Sequence, residues 1–254
     1  MTDLDAAIKA LARVPRLLVA LDFDGVLAPI VDVPSHARPL PDSAAALAEL
    51  AALPDTTVAL LSGRGRDDLA AVSGFGSPIR LIGSHGSEFD DGGTSLLDNE
   101  QRARLDRLTA ELRDLVEGEP GVALEPKPAG VAVHVRNAPP EVGTRVLDAV
   151  RAGPAARDGI ETTPGKAVLD LSVVRMDKGA ALDLLRESVA ADAVLFAGDD
   201  VTDETAFARL RPGDVGVKVG PGDTAAEHRV DAPPEITMLL QLLVEVRRAR
   251  HSDD

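Results

Sequence analysis

A doubly wound, mostly parallel α/β sheet with a smaller α/β unit inserted into it is the fold class that this sequence of 254 residues predicts. Three observations point there. Unbroken apolar runs at residues 17–21, 57–61 and 193–197 suit strands covered on both faces, and they alternate with Ala- and Leu-rich stretches of helical spacing. The polar clusters around Asp22, Ser62 and Asp199 each follow such a run directly, where the loops beyond strand carboxyl ends form the ligand crevice of an open sheet. Between residues 89 and 173 the pattern changes to helix, two strands, helix, two strands. That is a separate unit of roughly eighty residues, within the range of a small domain.

In chain order, Leu4, Ile8 and Leu11 mark a short amphipathic packing helix before the first strand. Asp22 stands at the end of that strand and Asp24 two residues on, with Gly25 turning the chain away. Two carboxylates aimed into one crevice repel unless a cation or proton intervenes, and a hard metal with substrate phosphate is the natural remedy. A Pro- and polar-rich loop over residues 31–41 precedes a helix to about Leu53. Strand 57–61 ends in Ser62-Gly63-Arg64 before a polar helix start, an arrangement in which a hydroxyl and free helix N–H groups would meet an anion. His85 follows a third strand, and Asp90-Asp-Gly-Gly-Thr94 has the composition of a hinge.

In the inserted unit, Leu97, Leu105, Leu108, Leu112 and Leu115 give an amphipathic helix. Residues 122–125 and 131–135 read as strands joined by the turn Pro126–Gly130, which places His134 and Arg136 on the face opposite Val131, Val133 and Val135. A helix at 140–152 and strands at 159–163 and 166–171 complete it. The main pattern resumes near Val173. Lys178 opens a helix, an unfavourable place for a cation unless it serves something else. The strand at 193–197 runs into Asp199, Asp200 and Asp203, a strand follows at 214–219, and a C-terminal helix is expected to fray from Arg247 onward.

Composition narrows the chemistry. With 27 Lys and Arg against 42 Asp and Glu, the net charge of −15 repels polyanions, so no nucleic-acid partner is expected. The absence of Cys excludes disulfides, thiol nucleophiles and thiolate zinc sites, and the five His show no metal-binding spacing. Neither a membrane span nor a signal pattern is visible, which gives the expectation of a cytoplasmic chain. Lys9, Lys127, Lys166, Lys178 and Lys218 are its only lysines, and a point-like ammonium retained among so many arginines marks candidate ligand contacts. Without Trp or Tyr, a sugar would have to be read by charged and polar side chains.

Several segments carry a family resemblance. Leu21-Asp22-Phe23-Asp24-Gly25-Val26-Leu27-Ala28-Pro29-Ile30 resembles the first motif of haloacid-dehalogenase-type phosphatases, in the form found in trehalose-6-phosphate phosphatases. Leu61–Arg64, Lys178 and Gly198-Asp199-Asp200-Val-Thr-Asp203-Glu204 resemble the second, third and fourth motifs, and Gly83–Glu88 resembles the G-x-H-G-x-E segment at the exit from the core. The resemblance implies a Rossmann-like core over residues 1–88 and 174–254 with a specificity cap at 89–173. It implies Asp22 as nucleophile and Asp24 as general acid and base, with Ser62, Gly63 and Lys178 on the phosphate. Mg²⁺ would be held by Asp22, the backbone carbonyl of Asp24 and Asp199, with Asp200 and Asp203 behind them. Arg64, His85, Glu125, Lys127, Arg136, Lys166 and Asp170 would contact the sugar.

The expected partner is a small sugar phosphate, with functional coupling to a trehalose-phosphate synthase, and the chain is expected to be a monomer. Two departures bear on the sugar: Asp170 stands where Glu is usual, and residues 171–176 lack the usual Arg-Pro approach. The alternatives are a phosphatase for sucrose phosphate or a glycosyl-phosphoglycerate, a phospho-accepting signalling domain, and an inactive regulatory module. Signalling receivers are typically half this length, and intact Asp22, Asp24, Lys178 and Asp199 oppose the inactive reading.

Overall fold

The computed structural model describes residues 3–89, 97–127, 129–165, 167–174 and 176–252. The chain divides into two compact units, Met1–Asp90 with Asp177–Asp254, and Asp91–Met176. The hinge composition expected at residues 90–94 lies outside the described residues, as does Lys166.

With strands numbered along the chain, the first unit holds β1 (Leu17–Leu21), β2 (Thr56–Leu61), β3 (Arg80–Ile82), β8 (Ala193–Gly198), β9 (Val215–Val219) and β10 (His228–Val230). They form one sheet in the order β10-β9-β8-β1-β2-β3, with every neighbouring pair parallel. The chain winds outward from β1 to β3, then returns to the other side of β1 and winds out again. The doubly wound sheet read from the apolar runs is present, and its switch point falls between β1 and β8. All five residues of β1 are buried, as continuous apolar strands under two helical layers must be. On one face Leu17, Val19 and Leu21 pack with Ile8 of α1 (Asp3–Leu11), Leu47 and Leu50 of α2 (Pro41–Ala52), Leu69 of α3 (Arg66–Ser73) and Leu240 of α8 (Pro233–Ser252). Elsewhere, Phe207 of α7 (Glu204–Phe207) meets Phe196 of β8 edge to face, 5.2 Å between ring centres.

Among the described residues the fraying expected from Arg247 is not seen: α8 continues to Ser252, and Arg247 is fully buried. Its guanidinium donates to the carbonyls of Ala12, Val14, Pro15 and Asp55 and to Thr56 Oγ1, so the five N–H groups of one arginine tie α8 to the segments that feed β1 and β2. Burial pushes its pKa below the ordinary arginine value. The edge strand β10, only three residues long, gave no apolar run to read in advance.

The second unit is a four-stranded antiparallel sheet, β4 (Ala123–Lys127), β5 (Gly130–His134), β7 (Val168–Ser172) and β6 (Glu161–Gly165) in that order. Val131, Val133, Leu169 and Leu171 cluster with Leu108 and Leu112 of α4 (Asn99–Val116) and with Val146 and Val150 of α5 (Pro140–Ala152). Alternation then sets Glu125, Lys127, His134 and Asp170 on the opposite, polar face. Because β5 ends at His134, Arg136 lies in the exposed turn beyond it, where strand alternation no longer sets its direction. Among the described residues, no helix is long and apolar enough to cross a membrane.

Candidate active site

The ladder between β1 and β8 runs one residue past the strand, with the Asp22 N–H donating to Ala197 at 2.9 Å. The chain then turns sharply: the N–H groups of Leu27 and Ala28 both reach the Phe23 carbonyl, and Gly25 takes φ 76°. A Cβ at Gly25 would fall 2.0 Å from Asp199 Oδ2, so glycine is needed both for the turn and for the approach of the β8 loop.

Asp22 is left buried, 6% exposed, with Lys178 Nζ 2.9 Å from Oδ2. Lys178 is the first residue of α6 (Lys178–Ser188), whose N-cap Asp177 accepts from the Ala180 N–H. The same ammonium donates to Asp203 Oδ1 at 2.7 Å, and Asp203 Oδ2 accepts the N–H groups of Asp199 and Asp200 at 3.0 and 2.9 Å. One lysine therefore bonds two carboxylates, and its charge also acts on a third, Asp199. Burial pushes Asp22 up to about 7, opposed by Lys178 and reinforced by Asp203. Asp199 is likewise pushed up to about 6, by burial and then by Asp203. Burial works to lower the Lys178 pKa, but Asp22 and Asp203 outweigh it and the group stays charged.

Asp22, Asp199 and Asp203 each offer an oxygen, all within 4.8 Å of one another. Hard oxygen donors in anionic excess suit a divalent cation. Since both oxygens of Asp203 are taken by N–H donors, Asp22 and Asp199 are the better ligands, with Asp203 orienting the loop behind them.

Nine of the residues singled out in the sequence, Asp22, Asp24, Ser62, Gly63, Arg64, His85, Lys178, Asp199 and Asp200, line one cavity of about 590 Å³ in the first unit. Ile30, Val31 and Pro34 lie at the same cavity, and Ile30 is 71% exposed. His85 stands where a Cβ on Gly63 would be, 2.6 Å from its Cε1, with its backbone at φ 55°. Burial lowers the His85 pKa, and Lys178 lowers it further.

The first helix N–H after Ser62-Gly63 is not free for an anion as expected. Glu88 Oε2 accepts from the Arg66 N–H at 2.7 Å and its Oε1 accepts from Ser84 Oγ, so a carboxylate already caps α3. Lys218, flagged only by the scarcity of lysine, proves to be buried in β9, where it donates to the Asp199 carbonyl at 2.5 Å. In the second unit, Lys127 and Asp170 form an ion pair at 2.6 Å, and Glu125 meets His134 at 2.7 Å.

Six parallel strands wound both ways from β1, with carboxylates and a helix-start lysine at the switch point, make this the core fold of haloacid-dehalogenase-like hydrolases. Residues 20–233 match the trehalose-phosphatase family, and the chain belongs to that family. It is 39% identical over 258 residues to the trehalose-phosphate phosphatase of Mycobacterium ulcerans, covering 93% of this chain and 65% of that protein. A bifunctional trehalose-6-phosphate synthase/phosphatase from Thermoproteus tenax is 34% identical over 91% of this chain and 32% of its own. The chain thus spans a little under two thirds of the mycobacterial relative's length. Among solved structures, trehalose-6-phosphate phosphatase of Aspergillus fumigatus matches with a TM-score of 0.61 and 25% identity, over 96% of this chain and 98% of that one.

Proposed function

We propose that this chain is a Mg²⁺-dependent phosphatase that hydrolyses trehalose 6-phosphate to trehalose and phosphate. The observation that carries the reading is the buried Asp22 at the switch point, paired with Lys178 and facing a cavity that also holds Asp24, Ser62 and Asp199.

Asp22 attacks phosphorus, the bond from phosphorus to the sugar oxygen breaks, and Asp24 delivers a proton to that oxygen. Asp24 then takes a proton from water, which attacks the aspartyl-phosphate, releases phosphate and regenerates Asp22. Lys178, Ser62 Oγ and the Gly63 backbone meet the charge on the phosphoryl oxygens. Asp22, Asp199 and the Asp24 carbonyl would hold Mg²⁺, with Asp200 and Asp203 orienting them; bound there, it supplies further positive charge at the transferring group.

Residues 89–173 act as the cap, in which Glu125, Lys127, Arg136, Lys166 and Asp170 read the sugar. The polar sheet face carrying Glu125, Lys127 and Asp170 supports this assignment. The Thermoproteus relative, which carries both activities in its name, supports a functional link to a synthase. The test is phosphate release from a panel of phosphorylated sugars, with and without Mg²⁺. Fastest turnover on trehalose 6-phosphate is expected, and preference for sucrose phosphate or a glycosyl-phosphoglycerate would replace the substrate assignment.

A further inference from the structure

Arg64 joins three parts of the core that the reaction scheme leaves unconnected. Its Nε and Nη2 donate to Oδ2 and Oδ1 of Asp24 at 2.6 and 2.9 Å, gripping both carboxylate oxygens. Nη1 donates to Asp68 Oδ2 at 2.8 Å, and Nη2 also donates to the Pro34 carbonyl at 2.8 Å. The guanidinium lies 5.8 Å from the centre of the Phe23 ring, and the side chain is only 11% exposed. Four of its five N–H groups are thus spent inside the protein, which leaves little to offer a sugar.

We infer that Arg64 is a positioning residue, not a sugar ligand: it fixes the orientation in which Asp24 transfers protons, and Asp68 and the Pro34 carbonyl fix Arg64. The Asp24 side chain is 32% exposed and would otherwise sample several rotamers. Proton transfer needs the donor within hydrogen-bond reach of the reacting oxygen. A fork–fork pair sets both distance and plane, and each Asp24 oxygen keeps a lone pair for the travelling proton. The inference rests on the proposed role of Asp24 in acid–base catalysis.

The experiment compares wild type with Arg64→Met, Arg64→Lys and Asp68→Asn on trehalose 6-phosphate and on p-nitrophenyl phosphate, after thermal melts establish that each variant is folded. On the sugar phosphate, Arg64→Met should lose roughly 10²-fold in kcat with KM changed by no more than about threefold, the signature of lost alignment. Arg64→Lys should resemble Met, since an ammonium keeps the charge but cannot grip two oxygens. Nitrophenolate leaves without a proton, so Arg64→Met should still release a rapid burst equal to the enzyme concentration, followed by slow turnover. Asp68→Asn leaves the pair intact and loosens its anchor, so about a tenfold fall in kcat is expected. A raised KM at unchanged kcat, a Lys variant like wild type, or loss of the burst together with turnover would each overturn the inference. Should Arg64→Met fail to fold, unchanged kcat in Asp68→Asn would do the same. A wild type that releases no phosphate from any sugar phosphate refutes the underlying reading instead.

Discussion

The carboxylates of the core cavity and the charges on the second unit's polar face are built on opposite terms. In the core, Asp22, Asp199 and Asp203 crowd around Lys178, and burial raises the pKa of the first two. On the second unit, Lys127 is matched by Asp170, and Glu125 by His134. An uncompensated buried cluster costs stability and so implies a ligand that repays it. A set of paired, partly exposed side chains is stable as it stands and reveals a ligand only if the pairs open. Function is therefore declared by imbalance in the core, and must be tested for by exchange on the other face.

The widest separation between the two regions should come from Asp22→Asn. An amide cannot attack phosphorus and gives the metal a poorer ligand, so turnover should fall by more than about 10⁴-fold on every substrate. Stopped phosphate-release assays would measure it, and substantial residual turnover would move the nucleophile elsewhere. Lys127→Ala should behave differently. On trehalose 6-phosphate kcat/KM should fall by roughly 10²-fold, because binding energy far from the reacting bond is lost with the contact. On a small phosphate ester the loss should be several-fold at most. Equal losses on both substrates would make Lys127 a structural residue paired with Asp170.

These two regions also differ in how far their residues could be read in advance. Three of the core motifs were legible because their chemistry-bearing residues follow an apolar run, and a buried parallel strand fixes where its next residues point. Asp22, Ser62 and Asp199 come together for that reason. What escaped depends on partners distant in sequence. Glu88 capping α3, Lys218 bonding the Asp199 carbonyl, and Arg247 holding four carbonyls are side-chain choices made in three dimensions. In the second unit, alternation along one strand placed His134 opposite the valines, whereas the shared face of Glu125, Lys127 and Asp170 depends on a strand register that the sequence does not display, and β5 ends before Arg136.

Removing the metal should expose the core's imbalance as a pH dependence. Asp22 binds its proton with a pKa of about 7 in the folded state against 3.8 in the unfolded chain, and Asp199 with about 6. Between those values the folded state holds more protons at these two sites, so the stability they contribute is fully present below about pH 4 and is lost as pH rises through 6 and 7. Mg²⁺ held by the ionised carboxylates, as proposed, would oppose the loss. Melting curves in EDTA and in Mg²⁺ at pH 5, 6, 7 and 8 should give a gap that widens with pH. Ion pairs elsewhere, such as Arg145 with Glu119, cancel in that difference. At a Mg²⁺ concentration 100 times its Kd, the gap should reach roughly 5–10 °C. A constant gap would mean that the cation binds somewhere other than Asp22 and Asp199.

The smallest effect on stability should come from the balanced side of the comparison. Glu125 and His134 are 56% and 40% exposed, and a polar side-chain pair this open to water contributes no more than about 0.5 kcal/mol because solvent screens it and two side chains must be ordered to form it. Glu125→Gln should therefore shift the melting temperature by only about 1–2 °C. If the pair exists to hold Glu125 ready for a sugar hydroxyl, the same substitution should lower kcat/KM for trehalose 6-phosphate well beyond what that stability change explains. Gln keeps the size and one acceptor but loses the charge that makes the hydrogen bond strong. His134→Gln separates holding from reading, since it removes the partner and leaves the carboxylate. A modest rise in KM for His134→Gln beside a large one for Glu125→Gln would place the carboxylate on the sugar. Equal, small effects in both variants would leave the pair as surface structure and shift the burden of specificity to Lys127 and Asp170.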